Sequence, residues 1–525
     1  MILATSVPYP VFWLQTPADH RYSWILPPYP QDSFGYMAWS QQAARGSLLF
    51  KLKYTAIPHS AFLFHPLFLV CGWISRLFGC EIGIVHWALK AVGVMLFFAV
   101  FYGYSDYLGL GRFQSIAASV LVGVSSGFGG LFAFSGLVNQ GQIVGLVNQG
   151  QMIPTDLWMP EVSTYWSLLW NPLFPYSLTL IVLTIYCLDR GTGDARKIDF
   201  WLGGLAAGVL ALVHPYALPL LFAYAVIIAL ARTGPGALGL LLRFFVASFP
   251  FVLYVVLVSI LQPLVSQHSA SGEMKSPHLV AYLLGFGLPL LICVLGLTMK
   301  PWDWLQRYWQ LVLWFVLSLV FANLPWWFQR KIIFSAQVPL CILAAISLDL
   351  ILTRASWPKS RNWTLVSGGI ILLPLLIATP VYLLVSESRE VRNNSNGAYY
   401  ISNELLDGLN FLKNKSRPDD VVFATYDTSR LIPAFSGNTV LWGHWAMSVD
   451  LAEREGWNAH LFNDNPNWQD KQRSREFWGT GIQYILADGN LRESIEQNPD
   501  MWRVILDDAD KVFVNSSVVI YKHRT

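Results

Sequence analysis

Ten apolar stretches, each about long enough to cross a bilayer at ~20 residues, leave this chain little choice of architecture. They lie near 85–105, 114–135, 173–188, 199–213, 216–231, 239–262, 279–298, 308–324, 333–353 and 363–385. Backbone N–H and C=O groups in hydrocarbon must be satisfied within the protein, so serial stretches of this kind fold as helices. Only 13% of the 525 residues are charged, 54% are hydrophobic and the mean hydropathy is +0.44, which excludes an ordinary soluble globule. The expected fold is an all-α polytopic membrane bundle of about ten spans, with a small C-terminal α/β domain outside the membrane.

That second domain is read from charge. Residues 391–525 carry 32 of the 67 charged residues. Residues 386–400 read as a polar linker and 401–525 as the soluble α/β domain, leaving 1–385 as the membrane domain with large outer loops at 1–84 and 136–172. In the soluble part ISNELLDGLNFLKN has helical periodicity, as do LAEREGWNAHLF and KQRSREFW. VVFAT, TVLWG, YILAD and WRVIL read as short strands, and KVFVNSSVVIYKH as a closing hairpin.

Orientation follows from the basic residues. The 60–79 stretch contains a His65–Pro66 step and Arg76; if it lies along the interface without crossing, one set of loops collects Arg112, Arg190, Arg196, Lys197, Arg232, Lys300, Arg307, Arg354, Lys359 and Arg361. The alternating loops hold little beyond Lys275, Arg330 and Lys331. The first set is therefore expected in the cytoplasm, and the first loop, the 136–172 loop and the C-terminal domain outside. An outer first loop requires an entry span before it, so a first span is expected to be missing from this start. GLVNQGQ at 136–142 recurs at 145–151, which reads as a short tandem duplication. The five cysteines sit in or beside apolar stretches and imply neither disulfides nor a zinc site.

Two acidic, aromatic-rich loops then stand out: PPYPQDSFGYMAWSQQAARG at 27–46 and PTDLWMPEVSTYWSLLWNP at 154–172. Asp32, Asp156 and Glu161 are the candidate catalytic residues. A carboxylate at an apolar boundary is a stronger base than one in water and suits deprotonation of a hydroxyl. The plainer alternatives are an N-cap for Asp32 and caps or solvated loop charges for the other two. Two loop carboxylates can also hold a divalent metal that bridges a phosphate, but no His or Asn spacing specifies one. Arg330 and Lys331, in NLPWWFQRKIIF, break the charge trend and suit a lipid phosphate, Arg through bidentate contacts and Lys as a point charge. Interfacial snorkelling explains them equally simply. His65, His214 and His444 are candidate sugar or phosphate contacts, His444 lying between Trp442 and Trp445; ordinary interfacial or core histidines are the alternative.

Taken in order, QDSFGYMAWSQQAARG, the following HP step, TDLWMPE before NPLFPYSLTLIVL, FQRK before VPLCILAA, and the appended FSGNTVLWGHWA and GIQYILADG resemble the C-type (GT-C) membrane glycosyltransferases. The chain is similar to bacterial polyprenyl-phosphate-sugar-dependent transferases of the protein mannosyltransferase and aminoarabinose transferase type. The resemblance implies inverting sugar transfer from a polyprenyl-phosphate donor to an extracytoplasmic glycan, lipid or protein acceptor, in the bacterial inner membrane. It implies Asp32 as base, Asp156 or Glu161 as the second loop acid, and Arg330 or Lys331 near the lipid phosphate. Asp32 lacks an adjacent acid, since Ser33 follows it, which weakens any transfer of metal dependence. Two rival classes remain: a non-catalytic membrane scaffold, and a transporter or flippase, which would call for paired ionisable residues inside the spans. Nothing in the charge pattern implies a nucleic-acid partner.

Overall fold

The computed structural model describes residues 2–138, 152–193, 196–265, 274–354, 361–394, 397–449 and 470–524, together with 451, 453 and 456. The second copy of the GLVNQGQ repeat and most of LAEREGWNAHLF lie outside them. The chain is mostly helical and divides into two compact units, neither of them one continuous segment.

The helical unit comprises Met1–Pro8, Ala88–Val256 and Glu273–Arg389. Six helices among the described residues are long and apolar enough to cross a membrane, against the ten spans expected: Ile82–Tyr107, Leu173–Gly193, Pro215–Leu261, Leu279–Met299, Trp302–Ala322 and Gln329–Arg354. Together with the composition they make this an integral membrane protein. Pro215–Leu261, 47 residues long, takes in two expected spans, the Leu218–Thr233 and Ala237–Leu261 helices joined at Gly234–Gly236. Leu238, Leu242, Phe249 and Ile260 on it are exposed, an apolar surface suited to lipid. The Lys197–Val213 helix has 17 residues.

The expected 114–135 span is a correction of another kind. It is broken into Arg112–Val124 and Gly129–Phe134. Neighbouring helices take over the backbone groups that the break releases: Ser126 N–H donates to Leu376 O (3.1 Å) and Phe128 N–H to Leu284 O (3.0 Å). Only glycine fits at 127, where a Cβ would stand 2.3 Å from Gly285 O. Irregular backbone amid spans is tolerated when buried in protein in this way.

The mixed unit comprises Tyr9–Trp87, Leu257–Gly272 and Glu390–Thr525. The Pro66–Phe78 helix, at 13 residues, extends about 20 Å and is too short to cross a ~30 Å core, in keeping with the interfacial reading of 60–79. Among the described residues this unit has seven strands: β1 (His20–Tyr22), β2 (Tyr400–Ser402), β3 (Val421–Phe423), β4 (Thr439–Val440), β5 (Ile482–Ala487), β6 (Ala509–Val514) and β7 (Val519–His523). Five form one sheet in the order β4-β3-β5-β7-β6, with β4, β3 and β5 parallel and β6–β7 the expected hairpin. WRVIL, expected as a strand, belongs to the Pro499–Leu506 helix: Pro499 opens it, and Met501, Trp502 and Ile505 bury one helical face. Residues 386–400, expected as a linker, continue the Arg361–Asn393 helix as far as Asn393.

Segments of the first loop are built into this sheet unit. β1 pairs antiparallel with β2, matching Arg21 to Ile401. Val440 N–H in β4 donates to Lys53 O (2.9 Å), while Lys53 Nζ, buried, reaches Asp419 Oδ1 (2.9 Å) and Pro418 O (2.8 Å). Tyr54 Oη donates to Arg430 O (2.9 Å), and Arg45 Nη2 to Ser436 O (2.5 Å). The C-terminal part is thus completed by chain from before residue 88.

Candidate functional site

Within the mixed unit, Asp32 sits in the first turn of the Pro30–Ala44 helix. Pro30 opens that helix with its φ already helical and no N–H to waste. The N-cap is Tyr29, whose side chain makes no capping bond, so Asp32 is not the N-cap that the sequence allowed. A carboxylate in the first turn is favoured by the helix dipole. Trp445 Nε1–H donates to Asp32 Oδ1 at 2.9 Å, across 413 residues of sequence.

His444 faces the same oxygen, with Nε2 at 3.4 Å from Asp32 Oδ1. This is an approach rather than a formed hydrogen bond, and Nε2 has no hydrogen-bond partner among the described residues. The ring's other nitrogen fixes its tautomer. Nδ1 accepts from the backbone N–H groups of Ala446 and Met447, both at 3.1 Å, so in the neutral ring the proton is on Nε2, towards Asp32. Tyr54 (5.4 Å, tilted) and Trp445 (6.2 Å, stacked) hold the imidazole between them. Gly35 lets it approach the helix, since a Cβ there would lie 3.3 Å from His444 Nε2. Asp32 itself is 20% exposed and His444 3%. Trp442, the other flanking tryptophan, belongs to the hydrophobic core with Phe423, Phe477 and Trp502.

Asp156, in the helical unit, has the opposite environment. It is fully buried, accepting from Thr379 Oγ1 (2.6 Å), Ser126 Oγ (3.1 Å) and Gly129 N–H (3.2 Å to Oδ1). Burial pushes its carboxyl up to about 6, against the pull of the Thr379, Ser126 and Gly129 bonds. The carboxylate caps the second half of the broken helix and ties it to the Arg361–Asn393 helix. Five residues on, Glu161 is also buried, and its Oε2 has no hydrogen-bond partner among the described residues.

The cations of the 325–336 region belong to the same unit. Arg330 lies over Trp158 (Cζ 5.6 Å from the ring centre), and its buried Nε has no hydrogen-bond partner among the described residues. Lys331 Nζ lies 5.1 Å from the centre of the Tyr216 ring. His214 is buried in an aromatic nest of Phe174, Tyr216 and Phe334. His65, in the mixed unit, is packed the same way, stacked on Phe68 (4.3 Å) and Trp39 (5.8 Å). So Arg330 is joined to the second acidic loop through Trp158, while His214 and His65 each pack against aromatic rings. Thr379, Ser126 and Gly35 had no sequence signal. Trp445 had a weak one, as the aromatic neighbour of His444.

No protein-family model matches the sequence, and no curated protein does. Solved structures, however, share the architecture along the whole chain. AglB, an archaeal oligosaccharyltransferase from Archaeoglobus fulgidus in complex with an inhibitory peptide and a dolichol-phosphate, aligns with TM-score 0.52 at 10% identity, over 100% of this chain and 74% of its own. The arabinofuranosyltransferase AftD from Mycobacteria aligns with TM-score 0.53 at 14% identity, over 100% of this chain and 40% of its own. The chain has the GT-C fold. That is the architecture the sequence resemblance implied. A second structure of the Archaeoglobus fulgidus oligosaccharyltransferase, in complex with Zn and sulfate, has TM-score 0.50 at 10% identity over 99% of this chain and 73% of its own. In this GT-C chain Asp156 does not fit a metal: its recorded partners are all hydrogen-bond donors, and among the described residues no three His, Cys, Asp or Glu side chains cluster.

Proposed function

We propose that the protein transfers a sugar from a polyprenyl-phosphate donor to a hydroxyl acceptor, with inversion, and that Asp32 is the general base. The observation that carries this reading is the setting of Asp32: a partly exposed carboxylate oriented by Trp445 Nε1–H and faced by the Nε2–H of a histidine whose tautomer is fixed from behind. A loop charge serving only solubility needs no such fixing. The GT-C fold supports the reaction class, and the AglB structure holds a dolichol-phosphate.

In the proposed step Asp32 takes the acceptor's hydroxyl proton as the oxygen attacks the anomeric carbon. The bond from that carbon to the phosphate oxygen breaks, and the lipid phosphate leaves with the electron pair. A phosphate needs little help to leave, so positioning and the base carry most of the demand, the base contributing ~10²–10⁴-fold. Arg330 and Lys331 bind the lipid phosphate, with the Trp158 and Tyr216 rings holding them in place. Asp156 is a structural clasp in this scheme, and the bacterial inner membrane with the C-terminal part outside is its proposed location. A scaffold or a flippase needs no oriented, partly exposed carboxylate at this position.

The deciding experiment is Asp32→Asn in the membrane-inserted full chain, supplied with a panel of polyprenyl-phosphate sugars. Transfer should fall at least ~100-fold with unfolding unchanged, because Asn keeps the size and accepts the Trp445 bond but cannot take a proton. Turnover close to wild type would remove Asp32 from the chemistry.

A further inference from the structure

We propose that one face of the Pro30–Ala44 helix, carrying Asp32, Tyr36 and Trp39, is a subsite for a carbohydrate ring, so that the acceptor is a glycan. This rests on the sugar-transfer reading above and adds the acceptor class to it.

The three residues stand at i, i+4 and i+7, a single helical stripe about 10 Å long. Their neighbours Ser33, Phe34, Gly35, Met37, Ala38 and Ser40 are buried, whereas Asp32, Tyr36 and Trp39 are only partly so. Each ring is braced by a buried one: Tyr36 lies nearly flat on Phe68 (4.8 Å, 14°), and Trp39 on His65 (5.8 Å, 29°). Rings held in this way lose little freedom when something stacks on them, which lowers the cost of binding. A stripe with aromatic faces along its length and one oriented carboxylate at its end matches a sugar, whose C–H face stacks on a ring while its hydroxyls stay at the edge. A prenyl chain would cover the carboxylate without offering it a hydrogen bond, at a cost in desolvation. The hydroxyl presented to Asp32 would be the one that reacts.

The full chain in lipid nanodiscs, with no donor present, is probed by saturation-transfer difference NMR using the methyl glycosides of glucose, mannose, galactose and arabinofuranose. At least one should receive saturation, strongest on the C–H protons of one ring face. Trp39→Leu should weaken that binding roughly three- to tenfold, while Trp39→Phe stays close to wild type. Leucine keeps the apolar bulk and removes the aromatic face, so an occupant held only by greasiness would survive the change. Equal unfolding midpoints confirm that both variants are folded. The proposal is overturned if no methyl glycoside receives saturation, if Trp39→Leu binds as wild type does, or if farnesyl phosphate or a serine peptide gives the Trp39-dependent signal instead. Because binding is read without turnover, Asp32→Asn can succeed or fail as a test of the base independently of this result.

Discussion

The two acidic loops look alike in sequence, an aspartate two residues after a proline and ahead of aromatic residues, and the structure gives their aspartates opposite settings. Asp32 is partly exposed, bonded by Trp445 and faced by His444. Asp156 is fully buried under Thr379, Ser126 and Gly129. A carboxylate that must exchange a proton with a substrate needs an approach, whereas one that only completes a broken helix needs enclosure. Enclosure of Asp156 is a consequence of the break at 125–128, which leaves the N–H of Gly129 in want of an acceptor. On the proposed reading, the base belongs to the mixed unit and the clasp to the helical unit.

The largest expected effect tests that assignment directly. Asp156→Asn should retain transfer within about tenfold of wild type, while Asp32→Asn loses ~10²–10⁴-fold. Steady-state turnover of the two variants on the same donor measures the contrast. Equal losses would mean that both aspartates act in the reaction and that burial does not keep Asp156 out of it.

Why the sequence distinguished these residues only in part follows from the distances involved. Apolar length is a local property, so the helical character was legible, as was a 60–79 stretch that forms only a short helix. Local pattern was overruled at 114–135, which is apolar throughout yet is interrupted between Val124 and Gly129, where backbone approaches closely at Gly127. Pro499 made WRVIL a helix against its strand-like composition. Asp32 was legible as an acid at a loop-to-helix boundary, but Trp445 is 413 residues away and nothing periodic links them. Thr379 lies 223 residues from Asp156 and reads simply as one more small residue in a span. The dependence of the terminal sheet on Lys53 and Tyr54 was hidden for the same reason.

A second test reads the clasp through pH. Burial raises the Asp156 carboxyl from 3.8 to about 6, so the folded protein favours the protonated form more than the unfolded chain does. Stability from this group is therefore complete below pH 3.8 and is lost as pH rises through about 6, a change on the order of 2–3 kcal/mol. Asp156→Asn, neutral throughout, should flatten that slope between pH 4 and pH 7.5 in thermal unfolding of the detergent-solubilised protein. Asp156→Ala should destabilise at every pH, since each orphaned donor costs ~1–3 kcal/mol. Should wild type and Asp156→Asn share one pH profile, the clasp is not the titrating element.

Smaller again is the effect on donor binding. Charge-assisted bonds to phosphate contribute ~1.5–3 kcal/mol, so Arg330→Gln or Lys331→Gln should raise KM for the lipid donor about tenfold or more. Changes in the helical unit should thus fall on KM, and those around Asp32 on kcat. Donor saturation curves identical to wild type for both single variants and the double would leave the pair as an interfacial anchor.

The smallest expected effect isolates His444. Gly35→Ala adds one methyl group 3.3 Å from His444 Nε2 and 3.0 Å from Met447 Cε, so the imidazole and the Met447 methyl must give by a few tenths of an ångström. Alanine is the better helix former by ~0.8–1.0 kcal/mol, so the variant should stay folded while kcat falls about three- to tenfold, less than the ~100-fold that a full 1 Å misplacement can cost. The control is the double change. If the methyl acts by displacing the ring, Gly35→Ala should cost nothing further in a His444→Ala background, since residues acting through one contact are not additive. A loss of the same size in both backgrounds would show that the methyl works through Met447 or the helix itself, and His444 would then be no more than packing beside the base.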